Sequence, residues 1–358
     1  MNHVELHDSE INDKRNVAEF RGITLSNFQC SKVKKEYISC LQSGKIEPAC
    51  YWAAELICAG HFSMLWDCIL LYISKHIHLG NPKLPIYIAM RFDAFKTILS
   101  NGYLDNEIRM RNNIKIRQIF AEITGILCFS MKKHTFESIK IKKVDEFNMT
   151  HMATRLKAPS IQYAADIFKH DDPKELYISI NELAYHISSA SKNVVSACYW
   201  LEWLIEYNLI CKKNKEKCEC ERRSFPPVLD KYQMDSIWLV WDVILHECKK
   251  RQPPLIEKSI RALLSMFCIK YTSGVAKKRK FIIYFAIALL TEPCDMTRVM
   301  ITNKEKIQHI VDKINIVYKD VKKNEISPQT DYLFAGTTKS NLDKTIERLE
   351  KMKEFSGF

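Results

Sequence analysis

The chain has 358 residues, room for two domains of ordinary size, and its 47% hydrophobic and 27% charged residues strike a globular balance that excludes disorder as the main state. Its 54 Lys and Arg against 42 Asp and Glu leave a net charge of +12, which suits nucleic acid, an acidic protein or an anionic surface without choosing among them. Only 9 glycines and 11 prolines occur, too few turn formers for a chain of many short strands, so helix is the expected class.

Residues 1–31 read as an N-terminal arm. Its first 14 residues are polar and mixed in charge, unlike a secretion signal, and the longest apolar run in the chain, 281–290, is about half of what crosses a bilayer. No membrane partner is therefore expected. The 13 cysteines are scattered, mostly through apolar helical stretches, and read as free thiols of an intracellular, reducing compartment: cytoplasm, nucleus, virus factory or virion.

From residue 32 the chain reads as one helical unit written twice, over 32–132 and 174–292, with a linker at 133–173. Ala49-Cys50-Tyr51-Trp52 returns as Ala197-Cys198-Tyr199-Trp200, and Trp66-Asp67-Cys68-Ile69-Leu70 returns as Trp241-Asp242-Val243-Ile244-Leu245. The first spacing is 148 and the second 175, so the second copy carries 27 extra residues between the two motifs, centred on the Lys- and Cys-rich stretch 212–227. Phe120-Ala121 and Phe285-Ala286 close the two copies in the same order. Inside the unit the apolar spacing is helical, as at Trp52, Leu56 and Ala59 or Leu65, Ile69, Tyr72 and Ile73, which predicts about five helices per copy. Pro82 and Pro85 are expected to stop the helix that starts before Trp66. In the linker, 138–144 alternates polar and apolar and predicts a short strand or extended run. A helical extension over 293–358 ends in a helix at 341–355, striped by Leu342, Ile346, Leu349 and Met352 for docking on the body or on another subunit.

At Tyr51-Trp52, Ala59-Gly60, Ser74, Ile77, Leu79, Asn81-Pro82 and Leu84 the first copy resembles the C-terminal helical domain of RarA-type (MgsA-type) AAA+ proteins, relatives of clamp loaders. The likeness covers residues 49–92. It implies an all-α fold of two tandem five-helix repeats resembling the clamp-loader collar domain, plus C-terminal helices, and a part in oligomerisation at replication forks. It does not imply ATP hydrolysis, because no Gly-x-x-x-x-Gly-Lys-Ser/Thr occurs and the stretch 335–340 lacks the second glycine. More loosely, 54–85 and the heavy use of Lys, Ile and Asn resemble uncharacterised proteins of large cytoplasmic DNA viruses.

Three groups of residues invite a chemical reading. Lys277, Lys278, Arg279 and Lys280 form the densest basic cluster, and Lys132 and Lys133 follow the equivalent helix of the first copy; such clusters neutralise phosphates, although a solvated helix start would look the same. Cys211, Cys218 and Cys220 offer three thiols at a spacing unlike the usual zinc pairs, so a structural zinc competes with incidental thiols on a solvated loop. Cys58, His61, His76 and His78 make a second neighbourhood, with the histidines read as lying at a helix C-terminus. Asp67 and Asp242, equivalent in the two copies, are expected to hold one structural contact twice, and the six tryptophans to be core. The expected function is a non-enzymatic oligomerisation or scaffold protein of DNA replication, repair or transcription, with a basic face toward nucleic acid or an acidic protein and no cofactor beyond that zinc. A virion-associated structural protein and an enzyme with an unrecognised helical site are the alternatives.

Overall fold

The computed structural model describes residues 8–104, 106–141, 147, 149–251 and 254–326. The helix expected at 341–355 with its Leu342, Ile346, Leu349 and Met352 stripe, the stretch 335–340 and residues 142–144 of the alternating run 138–144 lie outside the described residues.

Every regular element among the described residues is a helix. The first half holds α1 (Cys30–Gln42), α2 (Ile46–Cys58), α3 (Phe62–Tyr72), α4 (Leu84–Ser100) and α5 (Ile114–Phe129). A short α6 (Met149–Arg155) leads into the second half, with α7 (Tyr177–Ile187), α8 (Val194–Asn214), α9 (Ile237–Arg251), α10 (Pro254–Phe267), the single turn α11 (Val275–Lys278) and α12 (Lys280–Thr291). Two helices follow, α13 (Lys304–Asp312) and α14 (Ile314–Lys322). Of the paired motifs, Tyr-Trp lies in α2 and α8, Trp-Asp in α3 and α9, and Phe-Ala in α5 and α12.

Local chemistry accounts for several boundaries. The side chain of Asn113 accepts from the amides of Lys115 and Ile116 to cap α5, and Asn193 accepts from Ser196 to cap α8, in each case satisfying amides that a helix start leaves bare. Pro85 sits in the first turn of α4 and Pro254 opens α10, where a missing amide costs nothing. The helix carrying Trp66 is therefore not stopped by Pro82. It first widens into a π-turn at Ile73–Ile77 and then tightens at His78–Gly80. A Cβ on Gly80 would stand 2.2 Å from the carbonyl oxygen of Met131, so the return strand of chain passes there only because residue 80 has no side chain.

The two halves pack on each other. One apolar cluster runs through both halves, α4 packs on α10, and α12 packs on the turn that follows α3. Ser259 donates to the Pro82 carbonyl at 2.8 Å across this junction. Trp200, Trp238 and Trp241 are wholly enclosed and Trp66 and Trp203 nearly so, each removing enough apolar surface to contribute about 2–3 kcal/mol, while Trp52 is half-buried against Phe28 and Tyr51.

All three connecting segments dock on the helical body. The arm buries Ile11, Phe20 and Leu25. The extension does not follow the second half but returns to the first, with α13 on α5 and α14 on α2. The linker is also docked: its first stretch, 133–141, forms no ladder, yet it is held by bonds from the Lys133 amide to the His76 carbonyl and from the Phe136 amide to the Lys75 carbonyl. Phe136 is buried there between His78 and Tyr284, and the Glu182 carboxylate accepts from the amides of Lys157 and Ala158.

Candidate functional site

The basic run 277–280 is not one cluster in space. Arg279 turns inward, where its Nη1 donates to the carbonyls of Phe267 and Ile269 at the end of α10 and its Nη2 to Asp67 Oδ1 at 2.8 Å. Lys280 lies against the buried Glu202 carboxylate at 2.7 Å, and Lys277 pairs with Glu206 at 3.1 Å. The cluster thus escapes the repulsion expected at a helix start: α11 is a separate turn, and the charge at the start of α12 is matched by Glu202. Lys132 folds back onto the Cys128 carbonyl at the end of α5, where burial pulls its ammonium down from the ordinary lysine value, while Lys133 is exposed. Of the six expected cations, Lys278 and Lys133 are exposed with no side-chain partner among the described residues.

Lys278 has other company. It stands at the seam between the halves together with Lys34 and Lys35 of α1, Lys96 of α4, Lys270 and Arg279, six basic side chains around two adjoining hollows. Three carboxylates line the same hollows, and each has a cation: Asp67 with Arg279, Asp93 with Lys96 at 2.8 Å, Glu107 with Lys270 at 3.7 Å. Lys34, Lys35 and Lys278 are left over, with no carboxylate at ion-pair distance among the described residues. The smaller hollow, about 280 Å³, sits between these three lysines and Ser74. The larger, about 600 Å³, is floored by Trp66, Phe92 and Phe95, with Phe92 edge-on to the indole at 5.0 Å. Asp67, Lys278 and Arg279 line both, so the Asp67–Arg279 pair forms the sill between them.

Asp67 and Asp242 each accept from an arginine held outside their helix, Asp67 from Arg279 and Asp242 from Arg223 Nε at 2.9 Å. The partners differ, however: the first bond crosses the seam and the second locks the 212–227 insertion onto its own half. That insertion is not a solvated loop. Arg223 is buried in a two-pronged bond to Asp172, at 2.8 and 2.6 Å, and the Cys220 amide donates to the Met234 carbonyl beside a single bridge between Glu219 and Asp235.

The insertion's three thiols do not converge. Cys211 and Cys218 share a hydrogen bond beside Tyr207, whereas Cys220 points its sulfur at the Asp235 carbonyl. Burial pushes the thiols of Cys218 and Cys220 up, the latter to about 12. Among the described residues no group of three or more His, Cys, Asp or Glu side chains is placed to hold a metal ion. The second neighbourhood is dispersed too: His61 bonds the Ile23 carbonyl, His76 the Thr135 hydroxyl and His78 the His134 carbonyl. Both His76 and His78 are buried rather than set against bare helix carbonyls in solvent.

Comparison with protein-family models, with curated proteins and with solved structures returns no match. No helix among the described residues is long and apolar enough to cross a membrane.

Proposed function

We propose that the chain is a non-enzymatic scaffold protein, two copies of one helical unit in tandem, that holds nucleic acid against the seam between its halves. The observation that carries the reading is the set Lys34, Lys35 and Lys278, three cations brought together from both halves with every carboxylate that lines the two hollows already paired. Unpaired lysines grouped at a concave surface create the kind of potential that gathers phosphates. The net charge of +12 supports the same partner class. Oligomerisation, and a setting in DNA replication, repair or transcription, rest on the likeness of residues 49–92 to the collar-like helical domain.

Binding to a labelled oligonucleotide tests this directly. If three phosphates are neutralised, raising salt from about 50 to about 200 mM weakens binding about 20–40-fold, and the triple variant Lys34→Glu, Lys35→Glu, Lys278→Glu loses both the binding and its salt slope. Equal salt slopes for parent and variant would remove the seam as the contact face. Light scattering on the same sample reads the oligomer, since a solution mass of 41.9 kDa, that of one chain, ends the oligomerisation part of the proposal.

A further inference from the structure

We infer that the larger seam cavity receives one unpaired base of a single strand, with the adjoining phosphate held in the smaller hollow by Lys34, Lys35 and Lys278. The inference rests on the seam reading above and goes further, by naming which form of nucleic acid the seam prefers and where its base goes.

Four observations converge. The cavity is large enough for a base, about 600 Å³ beside a phosphate-sized hollow of about 280 Å³. Its floor is aromatic, made by Trp66, Phe92 and Phe95, and Phe92 is half-buried with the Lys96 ammonium 5.3 Å over its ring, so an entering base would displace that side chain to reach the face. Every base has such a face, which makes stacking tolerant of sequence. Trp66 is 3% exposed and its Nε1–H finds no acceptor among the described residues. A buried donor left in this state costs free energy, and a shift of the indole toward an entering base would let a carbonyl or ring nitrogen recover it. On the phosphate side the same pattern recurs: Ser74 is among the residues around the hollow that the three lysines surround, and its enclosed hydroxyl has no partner among the described residues.

The two hollows share Asp67, Lys278 and Arg279, so base and phosphate would lie side by side across the Asp67–Arg279 sill, as they do in one nucleotide. The charged rim argues against a purely apolar guest, because Lys96, Lys270 and Lys278 would lose solvent to no benefit. Paired bases in a duplex keep their faces stacked on one another and cannot enter. The seam should therefore distinguish strands by the freedom of their bases.

The test compares two 12-residue strands of equal charge, dodecathymidylate and its fully abasic counterpart, by fluorescence anisotropy on the full chain. Parent protein is expected to bind the thymidylate strand about tenfold more tightly than the abasic one. Ala89→Trp and Ser265→Trp fill the cavity from half-buried and exposed lining positions on α4 and α10, and each is expected to bring that ratio close to one. Trp66→Phe keeps the ring and removes the donor, so it should lower the ratio without abolishing it. Matching thermal unfolding of parent and variants shows that the fold is retained. A ratio near one in the parent, or a full ratio surviving in both filled variants, overturns the base pocket while salt-dependent binding still upholds the seam. Failure of either strand to bind with a salt slope overturns the seam reading, and the pocket with it.

Discussion

Replacing Arg117 with methionine is expected to lower the free energy of unfolding by about 3–5 kcal/mol, several times the cost of an ordinary surface substitution. Arg117 is 2% exposed and has no carboxylate partner among the described residues. Its guanidinium instead donates to five neutral acceptors: the Arg111 carbonyl at 2.8 Å, and Ser9 Oγ, the Ser9 carbonyl, Asn112 Oδ1 and Asn315 Oδ1, each at 3.0 Å. It also lies 3.9 Å over the ring of Tyr318. Burial draws its pKa below the ordinary arginine value, yet a guanidinium stays charged at neutral pH. Methionine fills much of the volume but takes a donor from all five acceptors, of which Asn112 Oδ1 keeps the Ile11 amide. Lysine at the same position keeps the charge and cannot fork, so it should recover only part of the loss. Urea unfolding of the three proteins decides the matter. A methionine variant within about 1 kcal/mol of the parent would mean that these bonds do not hold the arm and the extension in place.

Acidification supplies the second large effect. His78 is wholly buried, stacked 4.1 Å from Phe136, and its Nε2–H donates to the His134 carbonyl, which leaves Nδ1 without a partner among the described residues. Burial holds its pKa down from 6.5 to about 4, with His134, Lys133 and His76 adding repulsion against the carbonyl's opposing pull. Below pH 6.5 the unfolded chain therefore takes up a proton that the folded chain refuses until pH about 4. Stability is present in full above the unfolded value and falls across that window, by about 3 kcal/mol. Asp13, whose carboxyl resists the upward push of burial because Arg15 and the Ile326 amide bond it, has a depressed pKa and adds a further loss at lower pH. His78→Gln retains a donor toward His134 without titrating. The difference in unfolding free energy between parent and variant should be flat above pH 7 and should shift in the variant's favour by about 3 kcal/mol toward pH 4. A constant difference would contradict this account.

Much of the helical order could be read from the chain, because it depends on nearby residues. The tryptophan motifs, the 3-and-4 spacing of α2 and α3, and Asn113 ahead of α5 all act within a few positions. Proline was harder to interpret: Pro85 suits both the end of one helix and the first turn of the next, and only the packing around His78–Gly80 shows which applies. The candidate site was half visible. Lys278 stands out in its run, but Lys34, Lys35, Lys96 and Lys270 carry no common spacing and meet only when the halves pack. Nor could the sequence say that Arg279 and Lys280 spend their charge on Asp67 and Glu202, since those partners lie 212 and 78 positions away. Contacts of that span leave no periodic trace.

The return of α13 and α14 to the first half bears on how the molecule comes to be folded. Asp13 accepts from the amide of Ile326 at 2.9 Å, and Glu325 accepts from the amide of Asn12, bonds that span 313 positions. A ribosome releases the first half early, yet its last surface arrives only after the whole second half has been made. Until then the faces of α2 and α5 that α13 and α14 cover are open to solvent. At a synthesis rate of about 5–20 residues per second that exposure lasts on the order of ten seconds or more, long enough for a chaperone, or another nascent copy, to find it.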